Sequence, residues 1–527
     1  MQTNRLTVTL LMAVLMVSLG VGIVAAAPQE GGILNIAIKS VGTLDPHLTS
    51  SDFDFAVLSQ IFNTLVRTGK DSTPIPDLAE AWENPDDTTW IFHIRPGVYW
   101  HDGNSVFPKG KSRQVTASDV KYSLERVLDP ETKSPSAGGL MNVTTIEVID
   151  DLTIKLVTGS PDPFLLDAIR LAGIAIVPKE AVEKLGASGF ARQPVGSGPF
   201  KLVRFVPDDQ VVLHRNEDYW KKPLLLGVTF KIIPDDIVAV MALEAGDVHV
   251  SLSVPPSEVD RLRNDKRIHL YRSAQGWYRG LGFNVETAPF NELNVRKALA
   301  IATDIDSAVK NVFGENAIRA YGQVGPALLG YDPSLEELWP YDPDGALELL
   351  EEAGFTPGTD GMLQRDGKKL TVDIKTMNEP ARIKMVTIMV TQLRKLGIDA
   401  KISTQEVGTW VADLQSGNTG LFMDFAYSGP TGLHAMFHSE NAGISNAHFY
   451  KNPEVDAMLD QGSVTIDPEA RATIWRKAQR QIMEDVPLIP LYFEFGYTAG
   501  DARMNDFVPQ EWNLNLVSEE NNVWLSR

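Results

Sequence analysis

The sequence predicts an α/β protein, because strand and helix patterns follow each other closely in its best-defined stretch. Leu370, Val372 and Ile374 alternate with polar residues, as in a strand, and residues 379–396 then take up helical spacing. Alternation returns at residues 398–402, which predicts a strand–helix–strand unit with a parallel strand pair and a right-handed crossover. At 527 residues the chain exceeds the size of one core, and its length favours about three domains.

An uncharged, mostly apolar run near the start of the chain predicts a secretory signal peptide over residues 1–26. Arg5 precedes this run, and the small residues of Val24–Ala26 suit a cleavage site. A retained membrane anchor is the alternative, because an apolar run of roughly 20 residues can span a bilayer. No basic stop follows the run, so we expect cleavage and export into a periplasm-like space.

Composition narrows the function classes. Hydrophobic residues make up 43 % and charged residues 22 % of the chain, which excludes a disordered or polytopic membrane protein. The formal net charge of −20 opposes nucleic acid and anionic membrane surfaces as partners. Because the chain has no cysteine, disulfides, thiolate metal sites, cysteine nucleophiles and a lipid-modified cysteine are all excluded.

The first unit after the predicted cleavage site is a strand, a loop and a helix. Ile33, Ile36 and Ile38 predict the strand, and Gly42 begins the loop. Asp52 is a candidate cap for the helix that follows.

A smaller mixed α+β region comes next. Trp90–Ile94 and Leu152–Leu156 predict strands, and Thr116–Leu128 predicts a helix with Ser118 as a possible cap. Asn104–Gln114 is polar and basic, so we expect an exposed loop there.

Two further segments have clear turn and cap signals. Residues 194–220 predict a β-hairpin with a turn at Pro207–Asp209. Another helix is framed by Asp342 as cap, Pro343 in the first turn and Gly354 at its end.

The amino-acid sequence of the hairpin is more informative about the family than its predicted shape is. It reads PVGSGPFKLVRFVPDDQVVLHRNEDYW, and three other stretches accompany it at residues 75–103, 291–306 and 485–492. In order, and over nearly the whole mature chain, they resemble the solute-binding proteins of ABC importers for peptides, nickel and related solutes. The resemblance implies a periplasmic-binding-protein type II fold of the α/β class, with two lobes, a hinge and three domains (cluster C).

The resemblance also implies how the chain is divided. We expect a signal peptide at 1–26, domain I of lobe 1 at 27–68, 192–271 and 489–527, domain II at 69–191, and domain III, which is lobe 2, at 272–488. The hinge would lie near Arg272–Gly276 and Pro487–Phe493. We expect a monomer that binds one small molecule or peptide and passes it to ABC-transporter permease subunits in the membrane, with no nucleic acid and no cofactor.

An enzyme is the alternative of a different class. The sequence contains no G-x-S-x-G elbow, H-E-x-x-H helix, G-x-G-x-x-G dinucleotide loop or G-x-x-x-x-G-K-[ST] phosphate loop. An exported hydrolase is therefore disfavoured, and we predict that the protein is not an enzyme. A chaperone-like protein is the other alternative, and it would bind unfolded chains without lobe closure.

Ligands of open parallel sheets lie beyond the carboxyl ends of the strands, so the loops there are the predicted site. Residues 422–427 predict a strand, which places residues 427–432 at such an end, and residues 41–46 are the matching loop after the first strand. Aromatic side chains would supply apolar walls, although packing in the core explains each of them equally well. The candidate ligand-binding residues are Thr43, Leu44, Trp277, Tyr278, Arg279, Trp410, Tyr427, Ser428, His434 and Phe493.

A short peptide is the first expectation for the ligand. Peptide-binding members of the family usually carry an aspartate in this loop that pairs with the ligand's ammonium group, whereas residues 425–430 here are Phe-Ala-Tyr-Ser-Gly-Pro. Asp424 is the nearest acid, and it lies within the predicted strand. Either another acid takes this role, or the ligand has no free amino terminus there. Arg279 could meet a ligand carboxylate or could simply lie at the surface.

A nickel or other metal chelate is the second expectation, and an oligosaccharide or opine-like compound the third. His434 and His438 would share one face of a helix, where two imidazoles can hold one divalent metal, with His448 further along the chain. In nickel-binding family members a histidine after an Asp-Pro pair contacts the metal complex. Here Gly429-Pro430 replaces that pair, and His434 comes later. A partly exposed helix with incidental histidines is the alternative interpretation.

Overall fold

The computed structural model of the chain describes residues 28–70, 72–427, 429–508 and 514–527, and of residues 273–277, 424–427 and 430 it describes the backbone alone. The predicted signal peptide lies outside the described residues. Within them, none of the helices combines the length and the apolar character needed to cross a bilayer.

Strands and helices alternate along most of the chain. The strands are β1 (Ile33–Ile38), β2 (Val66–Thr68), β3 (Pro74–Pro76), β4 (Ala79–Asp86), β5 (Thr89–Ile94), β6 (Val143–Asp150), β7 (Thr153–Thr158), β8 (Phe200–Val206), β9 (Gln210–Arg215), β10 (Gly227–Ile232), β11 (Val250–Ser251), β12 (Ile268–Phe283), β13 (Ala317–Arg319), β14 (Thr356–Pro357), β15 (Leu363–Arg365), β16 (Lys368–Lys369), β17 (Thr371–Met377), β18 (Asp399–Gln405), β19 (Leu421–Tyr427), β20 (Leu488–Asp501), β21 (Met504–Asn505) and β22 (Trp524–Leu525). The α-helices are α1 (Asp52–Ile61), α2 (Ala117–Leu128), α3 (Leu165–Ile169), α4 (Lys179–Phe190), α5 (Asp236–Ala245), α6 (Pro256–Arg263), α7 (Leu293–Ile301), α8 (Ile305–Phe313), α9 (Pro343–Glu352), α10 (Pro380–Lys395), α11 (Val407–Gln415), α12 (Pro430–Phe437), α13 (Pro453–Val464) and α14 (Pro468–Asp485).

One large mixed sheet runs through the molecule in the order β18-β17-β19-β12-β20-β11-β1-β10-β9-β8, with β13 also paired to β20. The long antiparallel strands β12 and β20 continue from one half of the sheet into the other. The half that contains β1 is lobe 1, and the half that contains β19 is lobe 2. The lobes are therefore joined by a pair of strands at the centre of a shared sheet.

The pairing of β12 with β20 is interrupted between the lobes. Ala274 pairs with Phe495 and Tyr278 pairs with Phe493, so three residues of β12 face one residue of β20. Extra residues on one strand bend and twist a ladder locally. The interruption adjoins the segment Arg272–Gly276 in which the sequence places a hinge.

Each lobe has hydrophobic cores of its own. The largest core, in lobe 1, includes Phe92 and Leu124, and so takes in the four-stranded antiparallel sheet β4-β5-β7-β6 and helix α2. In lobe 2, one core joins Phe283 to Val386 of α10, and another surrounds Phe437 of α12. Separate cores let each lobe keep its packing when the angle between the lobes changes.

The predicted α/β units are confirmed. Strands β17 and β18 are parallel and joined by α10, with Thr371 opposite Asp399. The predicted hairpin is formed by the antiparallel pair β8 and β9. Asp342 caps α9 by accepting the amide of Gly345 at 2.9 Å.

Two predicted caps are wrong by one or two residues. Ser51, not Asp52, caps α1, because its hydroxyl accepts an amide of the first turn. Helix α2 begins after Thr116, which forms a capping box with the third residue of the helix, so Ser118 already lies inside it. In both cases a hydroxyl residue one or two positions before the expected cap offers its side chain in the right place.

The predicted loop over residues 104–114 is present but is only partly exposed. Phe107 is buried in the lobe 1 core and anchors the middle of the loop. The boundaries of domains I to III given above remain a prediction.

Candidate functional site

The carboxyl ends of strands from both lobes point toward the space between them. In lobe 1, β1 is parallel to β11, and β11 runs against β20, so both strands end on the side of lobe 2. In lobe 2, β19 runs against β12 and is parallel to β17, so both strands end on the side of lobe 1. The loops after these four strands converge on one cleft, where α/β sheets bind their ligands.

The lobe 1 rim, residues 41–47, follows β1 and is held by a buried polar network. Two nitrogens of Arg126 on α2 donate to the Asp45 carboxylate, at 2.9 and 2.6 Å. Asp45 has no exposed surface, and its carboxylate also accepts the amide of His47 at 3.1 Å. A buried carboxylate that is both paired and hydrogen-bonded fixes the backbone around it.

His47 completes this network as a neutral imidazole. Its Nε2–H donates to the carbonyl oxygen of Ala175 at 2.8 Å, and its Nδ1 accepts from Arg126 at 2.8 Å. Burial, reinforced by the Arg126 charge, lowers the pKa of His47 to about 4. Nδ1 can accept this bond only without a proton, so the network and the neutral state support each other.

The two predicted contact residues of the lobe 1 rim differ in exposure. Thr43 is half-buried, and its Oγ1 accepts the amide of Asp45 at 3.1 Å. Leu44 has no exposed surface, packs in the lobe 1 core and donates its amide to Ala191. The Leu44 side chain therefore turns inward, as apolar loop residues do, and the part of this residue in ligand binding stays a prediction. Thr43 stays a candidate.

Three predicted aromatic contacts pack in cores. Tyr278 and Phe493 are 0 % and 5 % exposed, and their ring centroids lie 5.9 Å apart in a core of lobe 2. Trp410 on α11 is 2 % exposed and packs with Leu414 and Phe422. For these three rings the structure supports packing over a role as a ligand wall.

For three other predicted residues, Trp277, Tyr427 and Ser428, the structure describes no side chain. Strand pairing places the backbone of Trp277 opposite that of Tyr427, at the cleft end of lobe 2. Their side chains, and Ser428 as a whole, lie outside the described residues. Their part in the site stays a prediction.

Four charged side chains gather at this end of lobe 2 and are named here the lobe 2 charge cluster: Arg279 of β12, Glu379 and Arg382 at the start of α10, and Glu494 of β20. Nη2 of Arg279 lies 3.7 Å from Oε2 of Glu494, and Nε of Arg382 lies 2.5 Å from Oε2 of Glu379. The side chains of Arg279, Arg382 and Glu494 are 12, 5 and 19 % exposed, and that of Glu379 is 41 % exposed. Most of the cluster is therefore withdrawn from solvent.

Each charged group in this cluster lies near a group of the same charge as well as a group of the opposite charge. Burial, and then the neighbouring Arg279, lowers the pKa of Arg382. Burial raises the pKa of Glu494, while Arg279 opposes that rise and Glu379 adds to it. Like charges repel each other within the cluster, and an incoming group of opposite charge reduces that repulsion. A ligand carboxylate can therefore pair with an arginine of the cluster in place of a glutamate, and a ligand ammonium group can pair with a glutamate in place of an arginine.

Sequence reasoning named Arg279 but missed the other three members. Glu379 and Arg382 follow β17 directly, in the stretch Asn-Glu-Pro-Ala-Arg, where Pro380 marks the first turn of α10. The rule that places residues 427–432 at a strand end applies equally to β17, so this signal was available. Glu494 has no such signal, because it lies inside a long strand.

A second group of polar side chains lies on α12 and α13. One nitrogen or oxygen atom each from His434, His438 and Asp460 lies within 4.8 Å of the others. Among the described residues, no other trio of His, Cys, Asp or Glu comes so close. His448 is buried and packs on the ring of Phe437 instead.

Comparison with known proteins decides the family. Residues 73–443 match the model of bacterial extracellular solute-binding proteins, family 5 (middle region). The chain belongs to this family. Di/tripeptide-binding protein 1 of Pseudomonas aeruginosa is 28 % identical, over 95 % of this chain and 96 % of that protein.

Two solved structures show that the family 5 fold is shared over almost the whole chain. The periplasmic binding protein DppA from Helicobacter pylori, in complex with the peptide STSA, is 25 % identical with a TM-score of 0.71, over 95 % of this chain and 99 % of its own. NikZ from Campylobacter jejuni, in complex with Ni(L-His), is 26 % identical with a TM-score of 0.70, over 91 % of this chain and 96 % of its own.

The family 5 assignment confirms the resemblance and the fold class that it implied, a periplasmic-binding-protein α/β fold with two lobes. It also places the protein among the solute-binding components of ABC importers. One solved relative holds a peptide and another a nickel complex. The fold therefore does not select the ligand, and the choice depends on side chains at the cleft.

Proposed function

We propose that this solute-binding protein takes a short peptide between its lobes and delivers it to the permease of an ABC importer. The observation that carries the proposal is the lobe 2 charge cluster, which gathers charges of both signs at the cleft end of β17. A peptide is a zwitterion, and arginine and glutamate match its carboxylate and its ammonium group. The relative named for di- and tripeptides and the solved peptide complex support this ligand class.

Arg382 and Arg279 are the proposed partners of the ligand carboxylate. Arginine presents a planar fork that can hold a carboxylate through two parallel hydrogen bonds. Repulsion between two neighbouring arginines favours the arrival of an anion. Glu494 or Glu379 would pair with the ammonium group and so replace the aspartate that the loop over 425–430 lacks.

The remaining parts of the proposal concern how the protein works. The ligand favours closure of the lobes because it contacts both of them in the closed state. The protein acts by binding alone, without catalysis, as a monomer and without nucleic acid. The signal peptide at 1–26 exports it to the periplasm, and the domain boundaries are those given above.

The test is calorimetric titration with one dipeptide in three forms: free, amidated at its carboxyl end, and acetylated at its amino end. We expect each modification to weaken binding by roughly a hundredfold, because each removes a charge-assisted hydrogen bond to a partly buried partner. Arg382→Gln should reduce the preference for the free acid over the amide by roughly thirtyfold, because Arg279 remains, while the preference for the free amine is kept.

Equal binding of the free acid and the amide by the unaltered protein would contradict the role of the charge cluster. The matched control is Arg261→Gln, which removes an arginine that is 49 % exposed on α6 of lobe 1. This variant should bind all three forms as the unaltered protein does. Titration with oligosaccharides and with nickel–histidine mixtures tests the other ligand classes under the same conditions.

A further inference from the structure

Helix α12 begins at Pro430, inside the predicted site loop of residues 427–432, and two histidines on it and just after it lie near α13. His434 lies within α12, His438 follows its last residue, and Asp460 lies on α13. Phe437 of α12 and Leu459 of α13 are buried in the same core, which fixes the two helices against each other. The three polar side chains are therefore presented by two packed elements, as a preorganised site requires.

The geometry of this trio fits one ion. The imidazole rings of His434 and His438 are stacked, with centroids 4.5 Å apart and planes 9° from parallel. Their Nε2 atoms lie 3.5 and 3.3 Å from Oδ1 of Asp460. Ligand atoms bound at about 2 Å from one metal ion lie a little over 3 Å from each other, as the nitrogen–oxygen distances here do. Because a metal lies near the plane of each imidazole that binds it, the exposed ring of His434 must turn out of its stack on His438 to share the ion.

The buried nitrogen of His438 is a second, independent indication of a ligand. The residue is 6 % exposed, and its Nε2 is buried without a hydrogen-bond partner. Its distance of 3.3 Å to Asp460 lacks the alignment of a hydrogen bond. An orphaned polar atom of this kind is rare in folded proteins, because its desolvation is not compensated. A cation between Nε2 and the carboxylate supplies the compensation.

The donor set selects the class of ion. Two imidazole nitrogens and one carboxylate oxygen suit Zn²⁺, Ni²⁺ and Co²⁺, whereas Mg²⁺ and Ca²⁺ prefer oxygen ligands throughout. With neutral imidazoles the carboxylate makes the trio net negative, which favours a divalent cation. The side chains of His434 and Asp460 are 37 % and 65 % exposed, so an ion can enter and keep coordination positions open to water.

We propose that His434, His438 and Asp460 form a divalent transition-metal site that belongs to lobe 2 alone. Because all three ligands lie on one lobe, the ion binds without lobe closure and without a chelator, unlike a metal chelate held in the cleft. The site is separate from the proposed peptide partners on β12, α10 and β20. A bound ion ties α12 to α13 and thereby stiffens the helix that starts within the site loop.

One existing contact competes with the ion. The amide of Glu440 donates to Nδ1 of His438 at 3.3 Å, whereas an imidazole that ligates through Nε2 carries its proton on Nδ1. This hydrogen bond is long, so displacing it lowers the affinity for the ion without abolishing it. We therefore expect the turn at Ser439–Asn441 to exchange its amide hydrogens faster when the ion is bound.

The test is titration of the metal-stripped mature chain with ZnCl₂, NiCl₂ and CoCl₂, in the absence of peptide and chelator. We expect one ion per chain by calorimetry, a raised midpoint of thermal unfolding and no response to MgCl₂. His434→Ala and Asp460→Asn, both at exposed side chains, should each weaken binding by roughly tenfold or more. His93→Gln removes an exposed histidine that is paired with Glu83 in lobe 1, and it should bind as the unaltered protein does.

The visible absorption of bound Co²⁺ gives a separate readout of nitrogen coordination and should be lost in His434→Ala. The experiment leaves out variants of His438, because that ring is buried and its removal also disturbs packing. No saturable binding of any of the three ions would overturn the proposal. Affinity equal to that of the unaltered protein in both His434→Ala and Asp460→Asn would overturn it as well.

Discussion

Both sides of the cleft carry arginine and carboxylate groups, yet they are built differently. On the lobe 1 rim, Arg126 holds the fully buried Asp45 through two hydrogen bonds of 2.6 and 2.9 Å. In the lobe 2 charge cluster, the ion pair of Arg279 with Glu494 measures 3.7 Å, and Arg382 feels charges of both signs. The first arrangement is a fully buried pair of opposite charges, whereas the second brings like charges together as well as opposite ones.

This difference predicts that the lobe 1 rim contributes mainly to stability and the lobe 2 charge cluster mainly to ligand recognition. A buried pair whose hydrogen bonds are satisfied is costly to break, because the remaining charge has neither water nor a counter-charge. Charges that adjoin both like and opposite neighbours, as Arg382 adjoins Arg279 and Glu379, contribute less to stability and exchange partners at small cost. We therefore expect substitutions in the lobe 1 rim to lower the free energy of unfolding, and substitutions in the lobe 2 charge cluster to lower ligand affinity.

The largest effect is expected for Arg126→Ala in the lobe 1 rim. The change should lower the free energy of unfolding by about 3–5 kcal/mol, because it leaves the buried Asp45 carboxylate without its counter-charge. It also removes the donor to Nδ1 of His47. Urea unfolding followed by circular dichroism measures the loss.

The control for this variant is Arg261→Ala, which removes a half-exposed arginine from its pairs with Glu244 and Glu258. We expect a loss below about 1 kcal/mol there, as for other exposed ion pairs. Equal losses in the two variants would mean that the buried network does not stabilise the lobe 1 rim.

Acid should lower the free energy of unfolding through a histidine of the same rim. Burial, and then Arg126, lowers the pKa of His47 to about 4, below its ordinary value of 6.5. Between pH 6.5 and 4 the unfolded chain binds a proton that the folded chain does not, so the free energy of unfolding falls as the pH falls through this window. The expected fall is about 3 kcal/mol, and it is complete below pH 4.

The variant His47→Gln should flatten this part of the pH profile. A slope of the same sign remains, because burial lowers the pKa of His101 to about 3, elsewhere in lobe 1. Urea midpoints at a series of pH values give both profiles. Identical profiles for the variant and the unaltered protein would exclude His47 as the titrating group.

The fold was more predictable from sequence than the site. The strand–helix–strand unit at 370–402 and the hairpin at 194–220 follow from apolar periodicity and turn residues, which act locally. The strand-end rule predicted the loops that the structure brings to one cleft, and Arg279 lies at the same end of lobe 2. It could not tell that Leu44 and Tyr278 turn into cores, because loop and hinge residues carry no periodicity that reports their orientation.

The rest of the site depends on contacts between distant parts of the chain. Glu494 meets Arg279 because β20 lies beside β12, and their pairing skips residues at the interruption between the lobes. No local pattern encodes the register of two long strands that are far apart in sequence. The same holds for Asp460, which joins His434 and His438 only through the packing of α13 on α12.

In the lobe 2 charge cluster, Arg382→Gln should lower affinity more than stability. We expect a loss of about 2 kcal/mol in binding a free dipeptide, roughly thirtyfold, measured by calorimetry. The free energy of unfolding should change by less than about 1 kcal/mol, because the change relieves repulsion with Arg279 and Glu379 keeps much of its hydration. A larger loss of stability than of affinity would make the two sides of the cleft alike and contradict the comparison.

The smallest effect concerns a contact that joins the lobes directly. Phe164, just before α3 in lobe 1, stacks on Trp475 of α14 in lobe 2, with centroids 5.9 Å apart and planes 16° from parallel. An aromatic pair contributes about 0.5–1.5 kcal/mol beyond its burial. A double-mutant cycle of Phe164→Leu and Trp475→Leu should therefore show a coupling of about 1 kcal/mol in the free energy of unfolding.

The same cycle tests whether the lobes move. If a dipeptide changes the angle between them, the coupling between Phe164 and Trp475 should differ between the ligand-free and the saturated protein. Phe62 and Phe190, 6.1 Å apart within lobe 1, provide the control, and their coupling should be the same in both states. If the coupling of Phe164 with Trp475 is also unchanged by saturating dipeptide, the two sides of the cleft do not move about β12 and β20, and recognition must then occur between fixed lobes.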